Sequence, residues 1–226
     1  MKSYFLAAVS VLAGAQLSLA QVRTIAVQGE VLVRHGVDRE WQKVHKGLEL
    51  KVDDSMMSGE RSNAMILVDG KKRIRIPENT IVDLIDFRSL TRQELLLQLA
   101  LERVRAVAGK EGGDPAVPQT TVSHGTERGE APESVRSLEL GRLQLNGSRV
   151  LFDNGYYATC ALKAKEVLRL YPELSHDSEV RFMIARALEK ENLHGEALTE
   201  YASLVHEDLS PRDREFVKQQ LARLRK

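Results

Sequence analysis

Hydrophobic and polar residues alternate along the chain in patterns that divide it into distinct zones. From Val22 to about Phe87, short runs of β-branched residues alternate with polar residues and are interrupted by glycines. This pattern is typical of several short strands joined by tight turns. Asp69-Gly70 lies between two such runs and is the strongest hairpin signal in the chain. The zone predicts a small antiparallel β-roll or meander.

The segment 91–108 carries two competing patterns. Its leucines alternate as the residues of a strand would, whereas its apolar residues also recur at helical spacing, at Leu97, Leu101, Val104 and Ala108. Thr91 and Glu94 form a capping box, and Gly109 is a natural stop for a helix. We therefore predict a helix that packs on or flanks the β zone; a strand that closes the β zone is the alternative.

The rest of the chain changes from a polar stretch to a helical pattern. Residues 109–137 are rich in Gly, Pro, Ser, Thr and Glu and have little periodic hydrophobicity, which predicts a linker that is either flexible or packed along the β zone. From Leu138 to the end, apolar residues return at helical spacing. The predicted fold is therefore α+β and multidomain, with a β domain at 21–90, a helix at 91–108, the linker and a helical domain at 138–226.

The N-terminus has the layout of a secretory signal peptide. Met1-Lys2 is positively charged, Tyr4 to Ala15 is apolar, and Ser18-Leu19-Ala20 supplies the small residues that a signal peptidase recognises. We predict a signal peptide at residues 1–20, cleavage after Ala20, and an exported protein that is periplasmic or secreted. No membrane span is expected after cleavage, because no later segment has the necessary apolar length.

Charge and cysteine content exclude some classes of function. The chain has 33 Lys and Arg residues against 32 Asp and Glu, and removal of residues 1–20 takes away one lysine and no acid. A formally neutral mature chain has no overall field that attracts nucleic acid, so nucleic acid is not an expected partner. Cys160 is the single cysteine and lies in a helix-like stretch, which indicates a packed thiol rather than a reactive one.

The glycines and strands of the β zone follow a recognisable order. The matching positions are Gly29-Glu30-Val31-x-Val33, Trp41-x-x-Val44, Gly47-x-x-Leu50, Asp53-Asp54, Ser58-Gly59, Ser62-x-Ala64, Asp69-Gly70 and Ile74-x-Ile76-Pro77-x-Asn79-Thr80. Over about residues 22–85 this pattern resembles that of FecR-type domains. The resemblance implies an extracytoplasmic β-rich module of the kind found in sensors of outer-membrane signalling and in other envelope proteins.

Two features of the β zone are candidate interaction sites. Trp41 is the only tryptophan, and it either covers one face of a sheet as a core residue or forms an exposed platform for ligand stacking. The basic run beside the hairpin turn either protects a solvated strand edge or attracts an anionic polymer. The run consists of Lys71, Lys72, Arg73 and Arg75.

A second resemblance covers the helical zone. One stretch has the spacing of the second helix of a tetratricopeptide repeat, with small residues where helices cross and a proline at the end: Gly155-x-Tyr157-x-x-Cys160-x-x-x-Ala164-x-x-Val167-x-x-x-x-Pro172. A second copy follows 37 residues later, with packing positions at Ala185, Ala197 and Tyr201. Because the usual period is about 34 residues, the extra residues are placed at 173–177. The resemblance implies helical hairpins with a concave face for peptides or partner helices.

The second copy departs from the repeat pattern at its turn, where Asn192 and His194 stand in place of the glycine and the aromatic residue. Ser210-Pro211 begins a last helix that should cap the stack. Two repeats and a cap bury little core on their own. We therefore expect the helices to lean on helix 91–108, on the β zone or on a second molecule, so a homo-oligomer is possible.

No motif in the sequence indicates catalysis. The six histidines do not occur at metal-site spacing, and the chain has neither a phosphate-binding glycine loop nor a nucleophile elbow. We predict a protein that is not an enzyme and has no cofactor. The expected function is an exported envelope protein that acts as a protein–protein interaction scaffold or extracytoplasmic sensing module, with protein or peptide partners in the envelope. A glycan- or cell-wall-binding module is the alternative.

Overall fold

In the computed structural model of the protein, residues 22–38, 40–108 and 133–225 are described. The predicted signal peptide at 1–20 and the stretch 109–132 of the predicted linker lie outside the described residues. An antiparallel β region is followed by six helices, so the predicted α+β class is confirmed.

Eight short strands build the β region. They are β1 (Val22–Gln28), β2 (Val31–Arg34), β3 (Gln42–Lys43), β4 (Glu49–Leu50), β5 (Ser55–Ser58), β6 (Asn63–Val68), β7 (Lys72–Ile76) and β8 (Thr80–Asp83). One sheet has the order β4-β1-β6-β7 and the other has the order β3-β2-β5-β8. Short connections lead from β1 to β2, from β5 to β6 and from β7 to β8. Strands β7 and β8 therefore lie at one edge of the pair of sheets, and β3 and β4 lie at the opposite edge.

The hairpin between β6 and β7 forms where the sequence predicts it. Asp69 and Gly70 occupy the turn with φ angles of 53° and 65°. Positive φ at both central residues matches the right-handed twist of the flanking strands. In β6, buried and half-buried residues alternate, because one face of the strand covers the core between the two sheets.

The helices are α1 (Arg92–Ala108), α2 (Glu133–Asp153), α3 (Tyr157–Leu170), α4 (Ser178–Lys190), α5 (His194–Leu204) and α6 (Pro211–Leu224). A short 3-10 helix at Leu84–Asp86 follows β8, and another at Pro172–His176 joins α3 to α4. The second lies where the extra residues between the repeats are placed. Helix α2 begins at Glu133, within the segment predicted to be linker. None of the helices in the described ranges combines the length and apolarity needed to cross a membrane.

Helix α1 forms with the predicted capping box. The backbone N–H of Thr91 donates to Glu94 Oε2 at 2.8 Å, and the backbone N–H of Glu94 donates to Thr91 Oγ1 at 3.2 Å. Leu95 and Leu99 are buried against α3, one helical turn apart. The segment is thus a helix rather than a closing strand, because its narrow buried face follows the helical period and not the period of two.

The two helical hairpins, α2–α3 and α4–α5, have the same backbone pattern at their turns. The N–H of Tyr156 donates to the carbonyl of Leu151 at 2.9 Å, and the N–H of Leu193 donates to that of Leu188 at 2.9 Å. Gly155 and its counterpart Asn192 both have positive φ, at 77° and 58°. This repetition supports the 37-residue alignment of the two copies.

Helix α2 joins the helical region to the β region. Gly147 lies so close to β8 that an added Cβ would be 1.9 Å from the carbonyl oxygen of Ile81. Nearby, Asn146 Nδ2 donates to the carbonyl of Asn79 at 2.7 Å. Because β8 is the last strand of its sheet, α2 covers an edge that would otherwise be open. One hydrophobic core runs from the sheets into the helices.

Candidate functional site

A depression on the helical region lies between α2, α4 and α6. We call it the helical groove, and its volume is about 690 Å³. Each of the three helices contributes an aromatic residue, an arginine and an acidic residue. The side chains that line it are Arg149, Phe152, Asp153, Glu179, Phe182, Met183, Arg186, Ser210, Arg212, Asp213 and Phe216.

Aromatic rings form the apolar part of the helical groove. The centroids of Phe182 and Phe216 are 5.9 Å apart, and Tyr201, which is fully buried behind them, is 6.5 Å from Phe182 and 6.2 Å from Phe216. Phe182 and Phe216 are themselves half-buried. The two rings therefore keep part of their surface available to an apolar side chain of a partner.

Charged groups surround these rings. The Arg186 guanidinium lies 5.2 Å from the centre of the Phe216 ring and is exposed. Arg149 makes an ion pair with Glu179 at 3.1 Å, and both side chains are largely exposed. Such exposed pairs exchange readily with outside partners, because each contributes little stability. The helical groove therefore offers apolar surface together with guanidinium donors.

A second depression of about 440 Å³ continues from the helical groove along α2 to the 3-10 helix. Arg149 lines both hollows. Leu145 and Leu174 line it but are largely buried, and Arg142, Glu173 and Asp177 supply charge. Together the two hollows form an elongated surface, which suits an extended chain better than a compact small molecule.

The residues predicted to pack the repeats lie mostly inside the helical region. Cys160, Ala164, Ala185, Ala197 and Tyr201 are fully buried. Burial raises the pKa of the Cys160 thiol to about 12, which fits a packing residue rather than a nucleophile. The other three positions shape the ends of α3, where Gly155 forms the turn, Tyr157 packs edge-on to Phe152 at 5.3 Å, and Pro172 starts the 3-10 helix.

Trp41 lies beside β3 in the second sheet and is half-buried. The Arg34 guanidinium is 5.1 Å from the centre of its ring. Its indole Nε1 is buried and has no hydrogen-bond acceptor within the described ranges. Trp41 is thus neither a fully enclosed core residue nor a free platform, because Arg34 occupies one face of the ring.

Three residues of the basic run lie on β7, an edge strand of the first sheet, and Lys71 lies in the turn before it; all four basic residues are exposed. The ammonium of Lys72 is already engaged within the protein. It lies 4.2 Å from the centre of the Tyr156 ring and donates to the carbonyl of Asn154. Trp41 and the run lie at opposite edges of the pair of sheets. The structure therefore does not bring these two predicted interaction sites together.

Charged side chains also meet where α3 packs on the β region. Lys163 Nζ lies 2.7 Å from Asp83 Oδ2 and 3.3 Å from Glu166 Oε2, and Ser55 Oγ donates to Asp83 at 2.6 Å. Burial opposes ionisation of Asp83, but Lys163 holds its pKa below the usual value. Burial, aided by the carboxylates of Asp83 and Glu166, raises the pKa of Asp86 to about 7 despite the opposing charge of Lys163.

Sequence reasoning missed the residues of the helical groove. The available signal was the recurrence of a phenylalanine at Phe182 and Phe216, which are separated by the usual repeat period of about 34 residues. Among the described residues, no group of three or more His, Cys, Asp or Glu side chains is placed to bind a metal ion. Comparisons with protein-family models, curated proteins and solved structures find no match to this chain.

Proposed function

We propose that the protein is a non-enzymatic, exported envelope protein that acts as an interaction scaffold, and that the helical groove binds a segment of a partner protein. The observation that carries the proposal is the helical groove itself, with half-exposed phenylalanine rings beside exposed guanidinium groups. Aromatic residues and arginine are the side chains that contribute most to protein interfaces.

The same proposal assigns each of the two regions to a type of module. The β region is proposed to be a FecR-like module and the helical region a tetratricopeptide-like pair of hairpins with a capping helix. The repeated turn hydrogen bonds and the positive φ at Gly155 and Asn192 support the second assignment. Export is proposed from the signal-peptide pattern at residues 1–20.

The direct test is affinity capture from native envelope extract with tagged mature protein. A double variant, Arg186→Glu with Arg212→Glu, reverses two charges at the helical groove without removing a buried side chain. We expect recovery of bound partners to fall by about tenfold or more, because guanidinium contacts with a partner are replaced by repulsion. Quantitative mass spectrometry of the captured proteins measures the loss.

The matched control is Lys190→Glu with Lys218→Glu. These two lysines are exposed on α4 and α6 but do not line the helical groove, so the control makes the same change in net charge. We expect the control to keep its partners, and circular dichroism should show that both double variants are folded. Equal recovery of partners by the groove variant and the control would contradict the proposal.

A further inference from the structure

The outer face of the first sheet presents a regular arrangement of arginines around an apolar centre. Cross-strand neighbours place Leu67 between Arg23 on β1 and Arg73 on β7. Two residues further along these strands, on the same face, Met65 on β6 is the cross-strand neighbour of Arg75 on β7. Side chains of one strand that point to the same face are about 7 Å apart, and strands are about 5 Å apart. The backbone positions of the three arginines thus surround those of two apolar residues within an area of about 10 Å by 7 Å.

Among the described residues these arginines have few partners, although Glu49 on β4 is the cross-strand neighbour of Arg23. Arg23, Arg73 and Arg75 are exposed, and within the described ranges none of them has an ion pair or a side-chain hydrogen bond. Met65 and Leu67 are half-buried, so each keeps part of its surface in contact with solvent. Lys72, in contrast, points to the other side of β7 and contacts Tyr156.

We infer that this face, which we call the arginine face, docks an acidic segment of a partner protein in which carboxylate and apolar side chains alternate. Arginine binds carboxylates through two parallel hydrogen bonds, which gives this pairing its geometric specificity. An extended segment places alternate side chains on one face, so its carboxylates and apolar groups can reach both kinds of surface on the sheet.

The composition of the arginine face favours a polypeptide over a glycan. Sugar rings stack on aromatic side chains, and no aromatic residue is present in the rows formed by β1, β6 and β7. Trp41 cannot contribute, because it lies at the opposite edge of the pair of sheets. The half-buried Met65 and Leu67 match apolar side chains of a polypeptide.

Fluorescence anisotropy with a short labelled peptide of alternating Glu and Val tests the inference. We expect the peptide to bind the mature protein, and Arg73→Glu with Arg75→Glu to weaken binding by about tenfold or more. Because the attraction is between exposed charges, affinity should also fall as salt is raised. The control pair Lys190→Glu with Lys218→Glu should bind as the parent protein does.

Several results would overturn the inference. One is the absence of binding to the Glu and Val peptide, and another is equal binding by the Arg73 and Arg75 double variant. Equal affinity for the same peptide with Gln in place of Glu would show that charge is not recognised. Binding of polygalacturonate, an acidic glycan, without binding of the peptide would assign the face to carbohydrate. None of these measurements involves the helical groove, so they leave the proposed function to its own test.

Discussion

The two helical hairpins share one backbone design but differ in what their first helices contact. Both turns have the same hydrogen bonds and a residue with positive φ, Gly155 in one and Asn192 in the other. In the first hairpin, α2 brings Gly147 against β8 and is covered by the β region. In the second hairpin, α4 presents Phe182 and Arg186 to the helical groove. Helix α2 therefore joins the β region and also lines the helical groove, whereas α4 lines the helical groove and packs mainly on α3 and α5.

The difference shows that two hairpins with equivalent turns can make different contacts through their first helices. The side chains on the outward face of each first helix decide whether that face is filled from within the chain or from outside. A glycine allows the closest approach of two backbones, whereas a phenylalanine with a neighbouring arginine leaves a surface that is only partly buried. Three changes test this comparison.

The largest effect is expected at the junction of the first hairpin. In Gly147→Ala the new Cβ would lie 1.9 Å from the carbonyl oxygen of Ile81, so α2 has to move away from β8. We expect a loss of about 3 kcal/mol in the free energy of unfolding, typical of overpacking against backbone. Urea denaturation followed by circular dichroism measures this loss.

The matched control for that change is Gly195→Ala in the second hairpin. A Cβ at Gly195 meets no atom within 4 Å, and alanine favours a helix more than glycine does. The control should be as stable as the parent or slightly more stable. If both substitutions had the same effect, the close contact at Gly147 would not be what holds the first hairpin to the sheets.

An intermediate effect is expected from the charged cluster beside the first hairpin. The pKa of Asp86 is raised to about 7, so the folded state holds its proton where the unfolded state does not. Stability from this group is therefore complete below its unfolded pKa of about 4 and is lost as pH rises to about 7. Asp86→Asn should raise stability by about 2 kcal/mol at pH 8 and change it little at pH 4.

Thermal melts of parent and Asp86→Asn across this pH range measure the effect. Asp83→Asn is the contrasting variant, because Lys163 holds the pKa of Asp83 below its usual value and the substitution breaks that ion pair. It should destabilise the protein at neutral pH. A pH profile for Asp86→Asn parallel to that of the parent would show that Asp86 does not titrate in this way.

The smallest effects are expected at the two turns, where the backbones are equivalent and the residues differ. Gly155→Ala places a side chain at a φ of 77° and should cost about 1 kcal/mol. Asn192→Gly relieves a residue at a φ of 58° and should stabilise by about 0.5 kcal/mol at most. Differential scanning calorimetry resolves the two melting temperatures. Shifts of the same sign would mean that the turns are not equivalent.

Features set by neighbouring residues could be predicted from the sequence. The hairpin at Asp69-Gly70 and the capping box at Thr91 and Glu94 depend on side chains and backbone within a few residues, and both are present in the structure. The 37-residue alignment paired Gly155 with Asn192, and both residues have positive φ in the structure. Cys160 is buried, as its apolar surroundings indicated.

The contacts between regions could not be predicted in the same way. Gly147 and Ile81 are far apart in the chain, and an isolated glycine in a helical pattern does not identify the backbone that it contacts. The helical groove combines α2, α4 and α6, so its outline depends on how three helices cross. The pairing of Arg34 with Trp41 likewise depends on the return of the chain to the edge of the second sheet.

The cover that α2 provides for β8 matters when the β region is produced as a separate fragment. Without the helical region, β8 would present unpaired backbone groups and the carbonyl of Ile81 to other chains, which is a template for intermolecular strand pairing. A fragment that ends near residue 90 should therefore self-associate in a recombinant host. Transplanting the β region into another protein would require a substitute for α2.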